Sequence, residues 1–210
     1  MPPSSPDDAP PPPDEPIERH FAFKANYGIG FFWPSDVNAY LKSRVPQDSG
    51  SLVRDLSTMY LLFSADVSVA YFPTEVFGIR PNLLYLFSYK ANPAQGGGTD
   101  FFWLHSLAPG LSLDFVLETH KLARFFASPG VSYQFAWLGD YSAHGLGLEL
   151  ALGTELSFGR HRNKGASIAL VLRRASLGID SRPREPLGTP TIDNLDFSSI
   201  MVRLGFQYGS

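Results

Sequence analysis

The chain predicts an all-β fold: an eight-stranded antiparallel up-and-down barrel that crosses a membrane. Three patterns predict it: a two-residue hydrophobic beat that recurs eight times, connections that are short at one end and long at the other, and two rings of aromatic residues. The clearest beat is Leu146, Leu148, Leu150, Leu152, Thr154, Leu156 and Phe158, interleaved with Gly145, Gly147, Glu149, Ala151, Gly153, Glu155 and Ser157. Side chains alternate faces along a strand, so this segment has a leucine wall and a small or acidic wall. The leucine wall is too bulky for the bore of a small barrel, and the other wall fills one well. The apolar wall is therefore expected to face outward, toward lipid.

The strands follow in order. Strand one, about His20 to Trp33, sets Phe21, Phe23, Ala25, Tyr27, Ile29, Phe31 and Trp33 against Ala22, Lys24, Asn26, Gly28 and Gly30. Strand two, about Ser57 to Tyr71, carries Met59, Leu61, Phe63, Ala65, Val67, Val69 and Tyr71 opposite Ser64, Asp66 and Ser68. Strand three, about Val76 to Lys90, sets Phe77, Ile79, Leu83, Tyr85, Phe87 and Tyr89 against Gly78, Arg80, Asn82, Ser88 and Lys90. Pro81 lies within it; proline removes a ladder donor, so a bulge is expected there. Strand four, about Phe101 to Glu118, and strand five, about Leu122 to Leu138, continue the beat with Asp114 and Glu118 on the polar side of strand four. Strand six is the leucine strand. Strand seven, about Ala166 to Ala175, sets Ile168, Leu170 and Leu172 against Ser167, Ala169 and Arg173. Strand eight, about Asp196 to Tyr208, sets Ile200, Val202, Leu204, Phe206 and Tyr208 against Ser199, Arg203, Gly205 and Gln207.

An even strand number puts both termini on one side, the periplasmic side in a bacterial barrel of this kind. Connections two–three, four–five and six–seven are short; on the other side Pro34–Leu56 and Asp180–Leu195 are long, Ala91–Asp100 is intermediate, and only Gly139–Ala143 is short. Short periplasmic turns and longer outer loops are the asymmetry expected of such barrels. One aromatic belt is then expected at the loop end, from Trp33, Phe87, Tyr89, Phe101, Trp103 and Trp137. Another is expected at the periplasmic end, from Phe21, Tyr71, Phe77, Phe115, Phe158, Phe206 and Tyr208. Aromatic rings favour both membrane interfaces.

The totals agree. The 210 residues suffice for one domain, and only 18% are charged, below the usual quarter of a soluble domain. The net charge of −3 gives no general pull toward nucleic acid. Cysteine is absent, which excludes disulfides and thiolate chemistry, and no cofactor is expected. Three segments are expected: a disordered, proline-rich, acidic tail over 1–19, the barrel over 20–208, and an extension or tag remnant at 209–210. The stretch MPPSSPDDAPPPPDEP has no basic region and no apolar core, so the export signal that an outer-membrane protein needs is taken as already removed.

The inward face carries Lys24, Asp66, Arg80, Asp114, Glu118, Glu149, Glu155, Arg173 and Arg203. An unpaired buried charge is prohibitively costly, so a mutually paired plug is expected, with a narrow polar path as the sharper alternative. In the first long loop, Ser35 is expected to cap a short helix whose Val37, Tyr40 and Leu41 pack over the barrel mouth. Catalysis is not expected. His105 and Ser106 point to opposite faces of a strand, and His20, His120, His144 and His161 have no metal-ligand spacing. Asp66 with Asp114 or Glu149 reads as ordinary ion pairing. The basic turn Arg160–Lys164 and the pair Arg182 and Arg184 could meet lipid phosphates.

These residues resemble the small eight-stranded outer-membrane barrels of the OmpA-like and OmpW-like kind, over about His20 to Tyr208. The last strand, IMVRLGFQYGS, is similar to the C-terminal insertion signal of such barrels through Arg203, Gly205, Phe206 and Tyr208, with Gly209 and Ser210 following the final aromatic. The resemblance implies an outer-membrane location, and insertion by the barrel assembly machinery. The expected partners are outer-membrane lipids, including lipopolysaccharide, around a monomer with a structural or surface-interaction role. A narrow channel and a soluble lipocalin-like binder are the alternatives; the binder requires the Leu146–Phe158 face to turn inward.

Overall fold

The structure is a computed structural model that describes residues 21–47, 49–94, 97–119, 123–158, 164–183 and 190–209, with backbone alone at 118 and 119. The expected tail over 1–19 and His20 lie outside the described residues, as do His120, Arg160, His161 and Arg184. Alternation produces long strands: β1 (Phe21–Phe32), β2 (Leu61–Thr74), β3 (Phe77–Pro93), β4 (Thr99–Thr119), β5 (Ala123–Leu138), β6 (Tyr141–Phe158) and β7 (Lys164–Ser181). The last staves are β8 (Asn194–Asp196) and β9 (Ser199–Gly209). Each pairs antiparallel with its sequence neighbour, and β9 pairs with both β7 and β1, which closes the sheet.

β8 and β9 are two parts of one stave. Ser176↔Asp196 and Arg173↔Ser199 keep one register along β7, and the Phe197 N–H donates to the Ala175 carbonyl at 2.8 Å between them. The barrel therefore has eight staves. Strand seven runs to Ser181, six residues beyond the expected Ala175, because its upper half is paired by β6 and β8. No bulge forms at Pro81: Arg80↔Ser112, Pro81↔Leu111 and Asn82↔Gly110 run in unbroken register. Register shifts fall instead between Tyr71 and Thr74 on β2, between Val116 and Glu118 on β4 and between Ser142 and Ala143 on β6.

The stagger of the barrel can be read from its partners. From Arg203, one row runs through Gly28, Ser64, Leu86, Ser106, Ala136 and Ala143 to Ile179 on β7. The direct partner of Arg203 on β7 is Ala169, ten residues from Ile179. Ten residues at about 3.3 Å against eight strand spacings of about 4.8 Å give a tilt of about 40°. On that lattice one residue climbs about 2.5 Å along the axis, and one step between strands along a row climbs about 3 Å.

The lattice puts the expected aromatic rings at two levels. Trp33, Phe87, Tyr89, Phe101, Trp103 and Trp137 lie on average about 30 Å from Phe21, Tyr71, Phe77, Phe115, Phe158, Phe206 and Tyr208, close to the thickness of a bilayer's hydrocarbon core. Between them the outward wall is apolar and exposed, Leu146 at 65% and Leu204 at 58% among others. The first residues of β1 and the last of β9 lie with the short turns, since Ala22 pairs with Gly209. At the other end β5 and β6 are joined by Gly139 and Asp140 alone, and Gly139 takes a φ of 56° that favours glycine in such a tight turn.

The bore leaves little room where inward strands approach closely. A Cβ at Gly110 would sit 2.7 Å from Asn82 Oδ1, 2.8 Å from the Val131 carbonyl and 2.9 Å from Ser132 Cβ. Gly110→Val should lower the unfolding free energy by about 1–3 kcal/mol, the usual cost of overpacking, measured as a shifted urea midpoint of tryptophan fluorescence.

Candidate functional site

Three independent parts of the chain meet in the lumen: the inward faces of all eight staves, the first long loop and the last long loop. The inward face is polar toward the turn end and mainly apolar toward the loop end, with Ser88, Asn92 and Ser106 buried among the apolar side chains there.

In the polar half the charges form two clusters. Asp114 accepts from Arg80 Nε at 3.0 Å, Lys24 Nζ at 3.1 Å and Ser128 Oγ at 2.6 Å. Arg80 also lies 3.9 Å from Asp66, which accepts from Asn26 at 2.5 Å and Asn82 at 3.3 Å. Higher up, Glu149 takes a bidentate contact from Arg203, 2.8 and 3.0 Å, and a third bond from Arg173 at 3.3 Å. The second guanidinium nitrogen of Arg173 donates to Ser132 and Gln134 at 3.0 and 2.7 Å. Glu155 accepts from Gln207 and lies 3.8 Å from Lys24, so it ties the last stave to the lower cluster. Among the described residues, Lys24, Arg80, Arg173 and Arg203 thus balance Asp66, Asp114, Glu149 and Glu155 inside the lumen. The side chain of Glu118 lies outside the described residues.

Between the clusters lies a space of about 20 Å³, bordered by Lys24, Asn26, Arg80, Glu155 and Arg203. That space is large enough for ordered water. Below it, Phe72 and Phe126 flank the Lys24 ammonium at 5.6 and 5.8 Å and fill the turn end.

The loop-end half corrects the expectation of a wholly polar interior. Leu62, Leu84, Leu86, Leu104, Leu138 and Met201 point inward with almost no exposure and join one apolar cluster. The first long loop completes it. Helix α1 (Ser35–Arg44) lays Val37, Tyr40 and Leu41 into the mouth, and Tyr40 meets Phe102 and Tyr141 edge-on at 6.3 and 5.6 Å. Ser35 does not cap it as expected. Pro34 holds that position, and the Ser35 hydroxyl turns to Asp36 at 3.3 Å.

Two side chains clip the cap in place. Asn38 exchanges two hydrogen bonds with the Met59 backbone, at 2.7 and 3.2 Å. The Asp36 carboxylate accepts the Asp193 and Asn194 N–H groups at 3.3 and 3.2 Å. Asp36 thereby occupies the place of a neighbouring strand on the edge of β8, whose backbone donors would otherwise be unpaired.

The other proposed residues fall elsewhere. His105 faces outward, its Nδ1 2.6 Å from the Tyr85 hydroxyl, while Ser106 is buried inside, so they form no dyad. Asp66 and Asp114 are held apart by Arg80 rather than paired with each other. His144 faces outward beside Asp180 at 2.5 Å. Arg182 pairs with Asp193 at 3.0 Å. In the last stave Phe206 and Tyr208 face outward, whereas Arg203 and Gly205 face the lumen, and Arg203 is committed to Glu149. The linkers Asn26, Ser128, Ser132, Gln134 and Gln207 fall on the expected polar faces but stand outside the expected site residues, because they carry no charge. The apolar tier had a signal: alternation fails in Leu83–Leu84–Tyr85–Leu86–Phe87 and Leu61–Leu62–Phe63, as it does where both faces of a strand are covered.

This geometry defines a class, the small closed eight-stranded barrel of the outer-membrane type. Among solved structures the chain is similar to Neisserial surface protein A, with a TM-score of 0.56 and 14% identity over 91% of this chain and 97% of that one. It is similar also to the outer membrane protein OprG of Pseudomonas aeruginosa, with a TM-score of 0.55 and 14% identity over 90% and 95% of the two chains. At that identity the likeness is one of fold. No protein-family model matches the sequence, and no curated protein matches it.

Two outcomes follow. Glu149→Ala leaves two buried guanidinium groups facing each other and should cost about 3–5 kcal/mol, read as a lower urea midpoint. Asp36→Ala with Leu41→Asp should release the cap and make the first loop the preferred site of limited proteolysis, with the heat-dependent gel mobility of the barrel unchanged.

Proposed function

We propose that the chain is an integral outer-membrane barrel with a closed lumen, acting through its loop end as a structural or surface-interaction protein. The observation that carries this is the filled bore. Balanced ion pairs occupy one half, and an apolar tier under a clipped helix occupies the other. A conduit needs a continuous wet path, and an apolar constriction sealed by Val37, Tyr40 and Leu41 opposes one. On this reading the short turns, with the start of β1 and the end of β9, face the periplasm, and the long loops face outward. Phe206 and Tyr208, exposed on the last stave, are the residues the assembly machinery would meet.

The soluble-binder alternative is not supported. It needs the Leu146–Phe158 face inside, and that face is outside, with Leu148 60% exposed. A lipid-facing arginine at midplane costs about 2–4 kcal/mol, so Leu150→Arg should depress the folded fraction in vesicles.

The test is a pair of measurements. Cold dodecyl sulfate should leave the protein compact and fast-migrating until boiled, in the membrane fraction of expressing cells. Planar bilayers containing it should stay silent. Steady single-channel steps would overturn the closed-lumen reading, and monomeric solubility in plain buffer would overturn the membrane reading.

A further inference from the structure

On the outward wall between the aromatic rings, one described residue carries a positive charge, Arg174 on β7; the acid nearest it on that wall, Asp196, lies opposite Ser176 at the level of the upper ring. Its neighbours across the strands are Leu148 on β6 and the gap at Ser198 between β8 and β9, and below it lie Leu172, Leu170 and Ile168. Arg174 is exposed, and its guanidinium makes no ion pair with any described residue. The nearest acid on the adjoining stave, Asp196, accepts the Ser198 N–H at 2.7 Å.

Its level is informative. On the barrel lattice Arg174 lies about 9 Å below the mean of the upper aromatic ring, in the outer part of the apolar band. An arginine there is within side-chain reach of the interface, and a guanidinium near hydrocarbon turns toward headgroups. The wall directly above it is small: Ser176 and then Gly178, where an added Cβ would meet nothing within 4 Å. Elsewhere at those heights the wall carries bulky rings, Trp103 and Trp137 among them.

We infer that Arg174 binds the phosphate of a lipid headgroup in the leaflet on the loop side. The acyl chains of that lipid lie along Leu146, Leu148, Leu170, Leu172 and Ile200, and its headgroup occupies the space over Ser176 and Gly178. Guanidinium and phosphate match in charge and in paired-donor geometry. This assignment rests on the membrane reading above.

The experiment uses the refolded protein in maltoside micelles. The probes are bisphosphorylated lipid A and the same lipid stripped of its phosphates, with retained lipid counted by native mass spectrometry. Wild type should retain the phosphorylated form at several-fold lower concentration than the stripped form. Arg174→Gln should bring that ratio to about one, and Arg174→Lys, which keeps the charge but loses the fork, should fall between. Millimolar inorganic phosphate should leave the bound lipid in place.

An unchanged ratio in Arg174→Gln, or no preference in wild type, overturns the assignment while a heat-dependent gel shift still upholds the barrel in its membrane. Full displacement by inorganic phosphate overturns a lipid as the source. Dimers in wild type that vanish in Arg174→Gln overturn it in favour of a carboxylate from a second copy. Loss of the gel shift in wild type, with solubility in plain buffer, overturns both readings together.

Discussion

The rest of the structure depends on the closure of eight staves with a stagger of ten residues, because that closure fixes the bore. A bore of this size holds side chains and little else. Every inward charge must therefore find its partner inside, and the lumen is solved as a packing problem with charges in it. The result is balance of charge: an arginine or lysine stands beside each carboxylate, and Asn26, Ser128, Ser132 and Gln134 bond to those charged groups, while Nε of Arg173 and Arg203 and the hydroxyls of Ser64, Ser68 and Ser106 are buried without a hydrogen bond to any described residue. Removing one member is costly out of proportion to its contacts, since the others cannot reach water.

The two halves of the lumen meet different demands. Toward the turn end, the staves supply their own closure through Phe72, Phe126 and the ion pairs. Toward the loop end, the polar partners run out and the strands turn apolar on both faces. An open mouth would expose that inner apolar tier to water, a loss of about 25 cal/mol for each Å² left uncovered. Helix α1 covers it; Asn38 holds the helix to the Met59 backbone farther along its own loop, and Asp36 holds it to the Asp193 and Asn194 backbone at the end of the last loop. The cap is thus part of the core, although it belongs to a connection.

Much of the fold was legible because alternation is a local signal. A residue's parity along a strand decides its face, so Leu146 to Phe158 and Ile200 to Tyr208 declared their outward wall with no knowledge of neighbours. The charged lumen residues were legible for the same reason. The split of the last stave at Phe197 and Ser198, the unbroken register at Pro81 and the extension of strand seven to Ser181 were not, since each depends on which strand lies alongside.

By itself the sequence determined the number of staves and the wall that faces out, and with that wall the side on which each described strand charge falls. Tertiary structure alone decided which charge meets which: Lys24 with Asp114 across 90 residues, Arg203 with Glu149 across 54. It also decided that Asp36 would serve the edge of β8 from more than 150 residues away, and that Arg174 would stand on the apolar wall without an ion-pair partner among the described residues. The physical reason is that a side chain's face follows from the period of its own strand. Its height and its partners follow from the stagger accumulated around the closed barrel, a property of all eight staves together.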